Sequence, residues 1–413
     1  MIYIGVMGHG VVGSGTVEIL HKNKDTISKR TGRELVVKKI LDIQDFDVSY
    51  RELFTKDASS ILEDEDISII VEAIGGIDPA YEYTVKALKS GKHVVTSNKE
   101  LVAQHGSELL NLAKENNVNY LFEASVGGGI PIIRPLRQCL AANKVSEIYG
   151  ILNGTTNYIL TRMKRAGLGF DEALKEAQIK GYAEADPTAD VKGHDAGRKI
   201  AILSSIAFGK SVPYAKIYTE GIDKIDHIDI LYANKLKRSI KLIARAKRHE
   251  DGVFAMVTPV LVDNYSPMAD VENVFNAIMV KGDAIGDVMF YGQGAGKLPT
   301  ASAVVGDIID VVKHLNATSV GVSGSSSAMT VLPINNFSSR RLIRLSGNNL
   351  DIVNKYANEV FKNSTIIDLD NAQAMGEIAI LTDTLTEGEV DSALKLLKKK
   401  VGAIQILGSM RVE

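Results

Sequence analysis

Apolar positions in the first part of the chain fall into short, β-branched runs separated by stretches with helical spacing. Ile2–Met7, Leu35–Leu41, Ile67–Ala73, His93–Thr96 and Asn119–Glu123 read as buried strands, whereas Pro79–Ser90 and Glu100–Asn116 repeat their apolar residues at the period of a helix. Alternating strands and helices predict an α/β layer built on a parallel, doubly wound sheet. The character changes after residue 130. Val145–Leu152 is strand-like, Asn153-Gly-Thr-Thr-Asn157 starts a capped helix, and Phe170–Lys180 is amphipathic. Ser239–Ala246 and Phe254–Val262 bracket Glu250-Asp251-Gly252 as an antiparallel pair, and alternation continues over Ala277–Phe290. These elements predict an α+β domain whose open sheet offers an edge that homodimers share.

The first strand runs into Gly8-His9-Gly10-Val11-Val12-Gly13 and then a helical pattern, which is the dinucleotide fingerprint in its proper strand–turn–helix setting. Gly8 suits the tight turn, Gly10 the approach of a pyrophosphate to the backbone, and Gly13 close packing of helix on sheet. The expected fold is therefore a Rossmann-type sheet. Asp42 ends the second strand, where a carboxylate accepts from an adenosine ribose and repels a 2′-phosphate, favouring NAD; Lys38 or Lys39 within reach would instead suit NADP. A plain turn residue is the alternative for Asp42. Thr96-Ser97-Asn98-Lys99 follows the fourth strand, at the carboxyl edge where open α/β sheets bind ligands. Lys99 is thus a candidate site residue, or a solvated lysine at a helix start.

Ala177–Lys199 reads A-Q-I-K-G-Y-A-E-A-D-P-T-A-D-V-K-G-H-D-A-G-R-K and leads into an apolar helix from His194. Asp195 and Lys199, four apart, share one helix face, with Glu184 and Asp190 on the loop before them. An isolated Asp-x-x-x-Lys is ordinarily a surface ion pair. Here an Asp186-Pro187 turn, Gly193 and two further acids crowd against a buried helix, which points to acid/base chemistry. Two more glycine-rich stretches stand out. Glu123-Ala-Ser-Val126-Gly-Gly128-Gly-Ile130-Pro131 leaves the first domain, either as a hinge or with its carbonyls free to surround a ligand. Tyr291-Gly-Gln-Gly294-Ala-Gly296, followed by Pro299-Thr-Ala-Ser and an apolar helix, reads as a crossing back to it.

The implied organisation is a nucleotide-binding domain over 1–130 with 299–318 returning to it, a substrate-binding and dimerisation domain over 131–298, a linker over 319–338 and a C-terminal domain over 339–413. Thr318–Ser327, rich in Ser and Gly, suggests the linker. Arg341–Leu345, a helix over Leu350–Phe361, Thr365–Leu369, Glu377–Leu381, a helix over Glu387–Lys400 and Ile404–Leu407 give βαββαβ order, which resembles an ACT domain. Ser346-Gly-Asn-Asn349 lacks the Pro-Gly often found at that turn, so dimerisation alone stands beside effector binding.

A chain of 413 residues with 45% hydrophobic content fills two or three cores. A net charge of −2 with dispersed Lys and Arg gives no field for a nucleic-acid backbone, so the expected partners are small molecules, with neither nucleic acid nor membrane. Cys139, the only cysteine, excludes disulfides within the chain and cysteine-based metal sites, and reads as a small core hydrophobe. No apolar run reaches the length of a membrane span, and Met1 leads straight into a strand with no basic leader, so a cytoplasmic enzyme is expected.

The spacing A-x-x-x-G-Y-A-E-x-D-P-x-x-D-V-x-G-x-D-x-x-x-K from Ala177 to Lys199 resembles the signature of homoserine dehydrogenases, and the resemblance extends over essentially the full chain. It implies reversible NAD(P)-dependent interconversion of L-homoserine and L-aspartate 4-semialdehyde, a step toward threonine, methionine and isoleucine. The resemblance makes Lys199 the proton donor and acceptor, places Lys99 against cofactor and substrate, and assigns substrate binding to Gly181, Glu184, Asp190 and Asp195. It gives cofactor contacts to Gly8, Gly10, Val11, Val12, Gly13, Asp42, Gly75, Ser97, Lys99 and Gly294. It also implies a monovalent cation, sodium, held by the Glu123 carboxylate and the carbonyls of Val126, Gly128 and Ile130, an oxygen set suited to a hard ion. With no kinase segment before Met1, a monofunctional homodimer or homotetramer is the expectation.

Two rival readings remain at this stage. A semialdehyde dehydrogenase that acylates a cysteine would use Cys139, which lies in R-P-L-R-Q-C-L-A-A with no nearby histidine. A non-catalytic sensor would bind a nucleotide in the first domain and an amino acid in the last.

Overall fold

The computed structural model of the protein describes residues 1–315, 328–369 and 376–413. The chain opens β1 (Ile2–Met7), α1 (Val11–Lys22), α2 (Lys24–Thr31), β2 (Leu35–Leu41), β3 (Phe54–Thr55), α3 (Ser59–Leu62), β4 (Ile67–Glu72), α4 (Ala80–Lys89), β5 (His93–Thr96), α5 (Lys99–Glu115) and β6 (Tyr120–Leu121). It continues through α6 (Ile133–Arg137), β7 (Val145–Ile151), α7 (Gly154–Ala166), α8 (Phe170–Ile179), α9 (Thr188–Val191), α10 (His194–Phe208), β8 (Tyr218–Thr219) and α11 (His227–Lys235). Then come β9 (Arg238–His249), β10 (Gly252–Asp263), β11 (Phe275–Gly282), β12 (Gly286–Gln293) and α12 (Lys297–Lys313). The last part holds β13 (Ser338–Gly347), α13 (Leu350–Val360), β14 (Thr365–Ile367), β15 (Glu377–Leu381), β16 (Leu385–Thr386), α14 (Glu387–Val401) and β17 (Ile404–Val412). No described helix is long and apolar enough to cross a membrane.

Two compact units result: Met1–Ile148 with Arg198–Lys216 and Asn276–Met329, and Tyr149–Gly197 with Ile217–Phe275 and Thr330–Glu413. The boundaries drawn from sequence at 130 and 298 both fall inside the first.

In the first unit a parallel sheet runs β3–β2–β1–β4–β5–β6. Its central strands are buried on both sides, which is why they read as continuous apolar runs rather than alternating ones. The edge strand β3 is two residues long and left no periodic signal. α12 packs on α1 over the same core, where Val304, Ile308 and Val311 meet Ile4, Val6, Val17, Leu20 and Val71. It begins at Lys297, two residues before Pro299, because proline is tolerated in the first turn of a helix. Cys139 is exposed, not in the core as expected. The helix before it ends at Arg137, and Leu136 and Leu140 fill the interior in its place.

In the second unit β9 and β10 pair antiparallel over twelve residues each. β17 joins β10 in parallel, and the ladder continues β13–β15–β14. The C-terminal segment therefore has βαββαβ order with its four main strands arranged fourth–first–third–second, covered by α13 and α14. Two buried arginines tie it to residues 218–232. Arg344 takes Glu377 with two hydrogen bonds (3.1 and 2.9 Å), Asp226 at 2.7 Å and Asp229 at 2.8 Å. Arg411 takes Glu387 (3.1 and 2.9 Å) and Glu220 (2.9 Å).

The linker expected over 319–338 lies in part, through residue 327, outside the described residues. Its remainder is not a free tether: the Val253 amide donates to the Thr330 carbonyl (2.9 Å), and Phe337 packs on Phe254 and Met256. Apolar residues here gain more from burial than a solvated connection would leave them.

Candidate active site

Because β1, β4 and β5 are adjacent and parallel, the turns that follow them meet at one edge of the sheet. This brings together Gly8–Gly13, Gly75 and Ser97–Lys99. Gly8 has φ +96°, and a Cβ on Gly13 would stand 1.9 Å from the Gly8 carbonyl oxygen, so the turn closes on itself only with glycine at both positions. Gly10, by contrast, faces open space: nothing lies within 4 Å of where its Cβ would be. Gly10 is also the N-cap of α1 and makes no side-chain cap. The first intrahelical bond runs from Ser14 N–H to the Gly10 carbonyl (3.0 Å), so the amides of Val11, Val12 and Gly13 precede the ladder and point out of the helix end.

Asp42 is half-buried and braces this turn. Its Oδ2 accepts from the His9 amide (2.7 Å) and its Oδ1 from Gln44 (2.9 Å). His9 is enclosed by Phe46, Tyr50 and Phe54, and burial holds its pKa below the ordinary value. Lys38 is held by Asp64 and Asp66 (2.9 and 2.7 Å), and Lys39 by the Ser60 carbonyl (2.8 Å).

Three polar residues, Glu72, Thr96 and Asn98, position this edge. Glu72, 1% exposed at the end of β4, accepts from Ile74 N–H (2.9 Å) and Thr96 Oγ1 (2.5 Å). Burial raises its pKa. Asn98 caps α5 through Leu101 N–H (3.1 Å) and donates to the Gly76 carbonyl (2.5 Å). Thr96, Glu72 and Asn98 thus lock the Gly75 and Ser97 turns to each other. An acid closing an apolar strand, as in Ile-Ile-Val-Glu, was the available signal.

Lys99 opens α5 and Lys199 lies in α10; both are half-buried. Their sequence neighbours meet: Arg198 reaches Glu100 at 3.5 Å and stacks over Tyr214 at 5.5 Å. This contact brings the residues next to Lys99 and Lys199 together. Asp195 is buried and sits one turn before Lys199 on α10.

Within the second unit, Asn153 Nδ2 donates to Asp190 Oδ1 (2.6 Å) and to Asp195 Oδ2 (2.9 Å). Sequence spacing foresaw the acids but treated Asn153 as a cap only. Gly181 is exposed with φ +72°, and Glu184 is exposed, its carbonyl accepting from Gln178 (3.1 Å).

The Glu123 carboxylate accepts three amides, from Ile132 (2.6 Å), Ile133 (2.8 Å) and Arg134 (2.7 Å), and so caps α6. Asp307, between Glu123 N–H and Arg134, is pushed by burial up to about 7. Gly128 and Gly294 approach so closely that a Cβ on the former would meet the latter's backbone at 2.5 Å, joining the two glycine-rich stretches. Among the described residues no three His, Cys, Asp or Glu side chains converge as a metal cage, so a cation here would depend on backbone carbonyls.

A glycine turn that leaves helix-end amides uncovered at the carboxyl edge of a parallel sheet is the equipment of a nicotinamide-dependent oxidoreductase. Comparison with known proteins narrows the class. Residues 8–123 match the family model described as homoserine dehydrogenase, NAD binding domain, and residues 131–309 the model described as homoserine dehydrogenase. A Neisseria gonorrhoeae homoserine dehydrogenase is 38% identical over 96% of this chain and 95% of its own. One from Bacillus subtilis is 42% identical over 79% of this chain and 75% of its own. The crystal structure of a homoserine dehydrogenase from Thiobacillus denitrificans superposes with a TM-score of 0.91 at 36% identity, covering 100% of this chain and 98% of that one. This chain belongs to the homoserine dehydrogenase family. Neither the cysteine-acylating reading nor the sensor reading finds support in these relatives.

Proposed function

We propose that Lys199 exchanges the hydroxyl proton as L-homoserine and L-aspartate 4-semialdehyde are interconverted, with Lys99 beside it and Gly181, Glu184, Asp190 and Asp195 holding the amino-acid part of the substrate. The observation that supports this reading is the Glu100–Arg198 ion pair, which joins the residues next to Lys99 and Lys199 in sequence. A nicotinamide bound along Gly8–Gly13, Gly75, Ser97 and Gly294 supplies or accepts the hydride. In the reducing direction the Lys199 ammonium donates a proton to the developing alkoxide; in the oxidising direction the neutral amine takes the hydroxyl proton. The carboxylates pair with the substrate ammonium.

Asp42 at the end of β2 favours NAD, and the commitment of Lys38 and Lys39 to Asp64, Asp66 and Ser60 supports the same preference. A hyperthermophilic archaeal homoserine dehydrogenase of related fold, 31% identical, is described in complex with NADPH, so the comparison of kcat/KM for the two cofactors decides this point. For a monovalent cation, Glu123 has given three acceptor positions to α6, so the carbonyls of Val126, Gly128 and Ile130 would supply most of the coordination. The exposed Ile285 and Tyr291 on the β11–β12 hairpin suit an assembly of two or four copies.

The test is Lys199→Ala. Turnover falls by about 100-fold or more, the scale of general acid/base catalysis, while cofactor binding persists. Near-normal turnover removes Lys199 from the mechanism.

A further inference from the structure

We infer that Asn153 is a positioning residue for the substrate: its side-chain amide holds the carboxylates of Asp190 and Asp195 as a single ammonium-binding pair. The inference rests on the substrate reading of those two acids. Both accept from the same nitrogen, at 2.6 and 2.9 Å, although they come from different elements, α9 and α10. Two carboxylates sharing one nitrogen repel each other, and a donor delivering one N–H to each offsets that repulsion where water is scarce. Asn153 is 5% exposed, so solvent does not do this in its place.

The orientation of the amide is not free. Its Oδ1 accepts from Thr156 N–H (2.8 Å) and from Thr156 Oγ1 (3.0 Å), the N-cap of α7. A flipped amide would lose the cap and aim oxygen at two carboxylates, so the cap forces both N–H groups toward the acids. The base is itself clamped. Asn157, one turn on, donates to the carbonyls of Val271 (3.1 Å), Asn273 (3.1 Å) and Phe275 (3.0 Å), and a Cβ on Gly154 would come within 2.7 Å of the Val274 oxygen. Asparagine alone among the good N-caps offers a capping oxygen and two donors on one rigid plane; aspartate and serine keep the cap and lose both amide N–H groups.

That difference supplies the experiment, on the full-length enzyme with homoserine and saturating cofactor. Asn153→Asp and Asn153→Ser retain the α7 cap. The expected result in both is a rise of at least about tenfold in KM for homoserine, with kcat within about threefold and cofactor Kd unchanged, since the charge-assisted bonds at the substrate pair are lost and, in Asn153→Asp, a third carboxylate adds repulsion. Unchanged KM in the soluble variants, with or without a lower Tm, assigns Asn153 to capping alone and overturns the proposal. Asp195→Ala run in parallel separates the two levels. If it leaves KM unaltered, the substrate reading of the acids fails; if it raises KM while the Asn153 variants do not, that reading stands and this inference falls.

Discussion

Lys241 lies in β9 of the second unit, 3% exposed, with its ammonium donating to the Val271 carbonyl and to Asn157 Oδ1 (3.3 Å). Burial depresses its pKa from 10.5 to about 8. A drop of that size corresponds to about 3 kcal/mol, at about 1.4 kcal/mol for each tenfold change in proton affinity. The sign follows from proton binding. Above about pH 8 the folded state has released the proton while the unfolded lysine keeps it until near 10.5, so the unfolded chain binds more protons and stability rises with pH across that window. Below it both states are charged, and the folded protein carries the whole cost of the buried ammonium. Lys241→Met preserves length and apolar stem without a charge, and Val271 retains a donor from Asn157. In urea denaturation, wild type relative to Lys241→Met gains about 3 kcal/mol between about pH 8 and about pH 10.5. Two pH profiles that run parallel through this window would refute the argument.

Other outcomes test the two arginine and glycine features. Arg344→Met leaves Glu377 and Asp229 buried without their counter-ion, and urea melts at neutral pH show a loss of about 3–5 kcal/mol. The deficit narrows toward acid pH, because unpaired buried carboxyls take up protons; an equal deficit at both pH values contradicts the assignment. Gly13→Ala sets a Cβ 1.9 Å from the Gly8 carbonyl oxygen, so the turn opens and cofactor Kd, read by quenching or displacement titration, rises by about 100-fold, in line with an overpacking cost of about 3 kcal/mol. Retained affinity would show that the turn can shift without harm to the site.

The class of fold was legible in the residue order, because it depends on local pattern. Uninterrupted apolar runs announce strands buried on two faces, and Gly8 and Gly13 are demanded by the turn itself. The placement of Asp195 and Lys199 was legible in the same way, since residues four apart must share a helix face wherever that helix packs. Other features depend on partners far off in the chain, and no local window holds them. Cys139 looked like core and is exposed because its helix stops at Arg137. The stretch 328–338 looked like a tether and is pinned by Val253 and Phe254. Glu72 read as one residue of a strand and Asn153 as an ordinary cap until folding brought Thr96 to the first, and Asp190 and Asp195 to the second, within hydrogen-bond reach. A periodic pattern reports the surface on which a residue sits; which polar atoms meet across that surface depends on long-range packing, where a displacement of an ångström makes or breaks the bond.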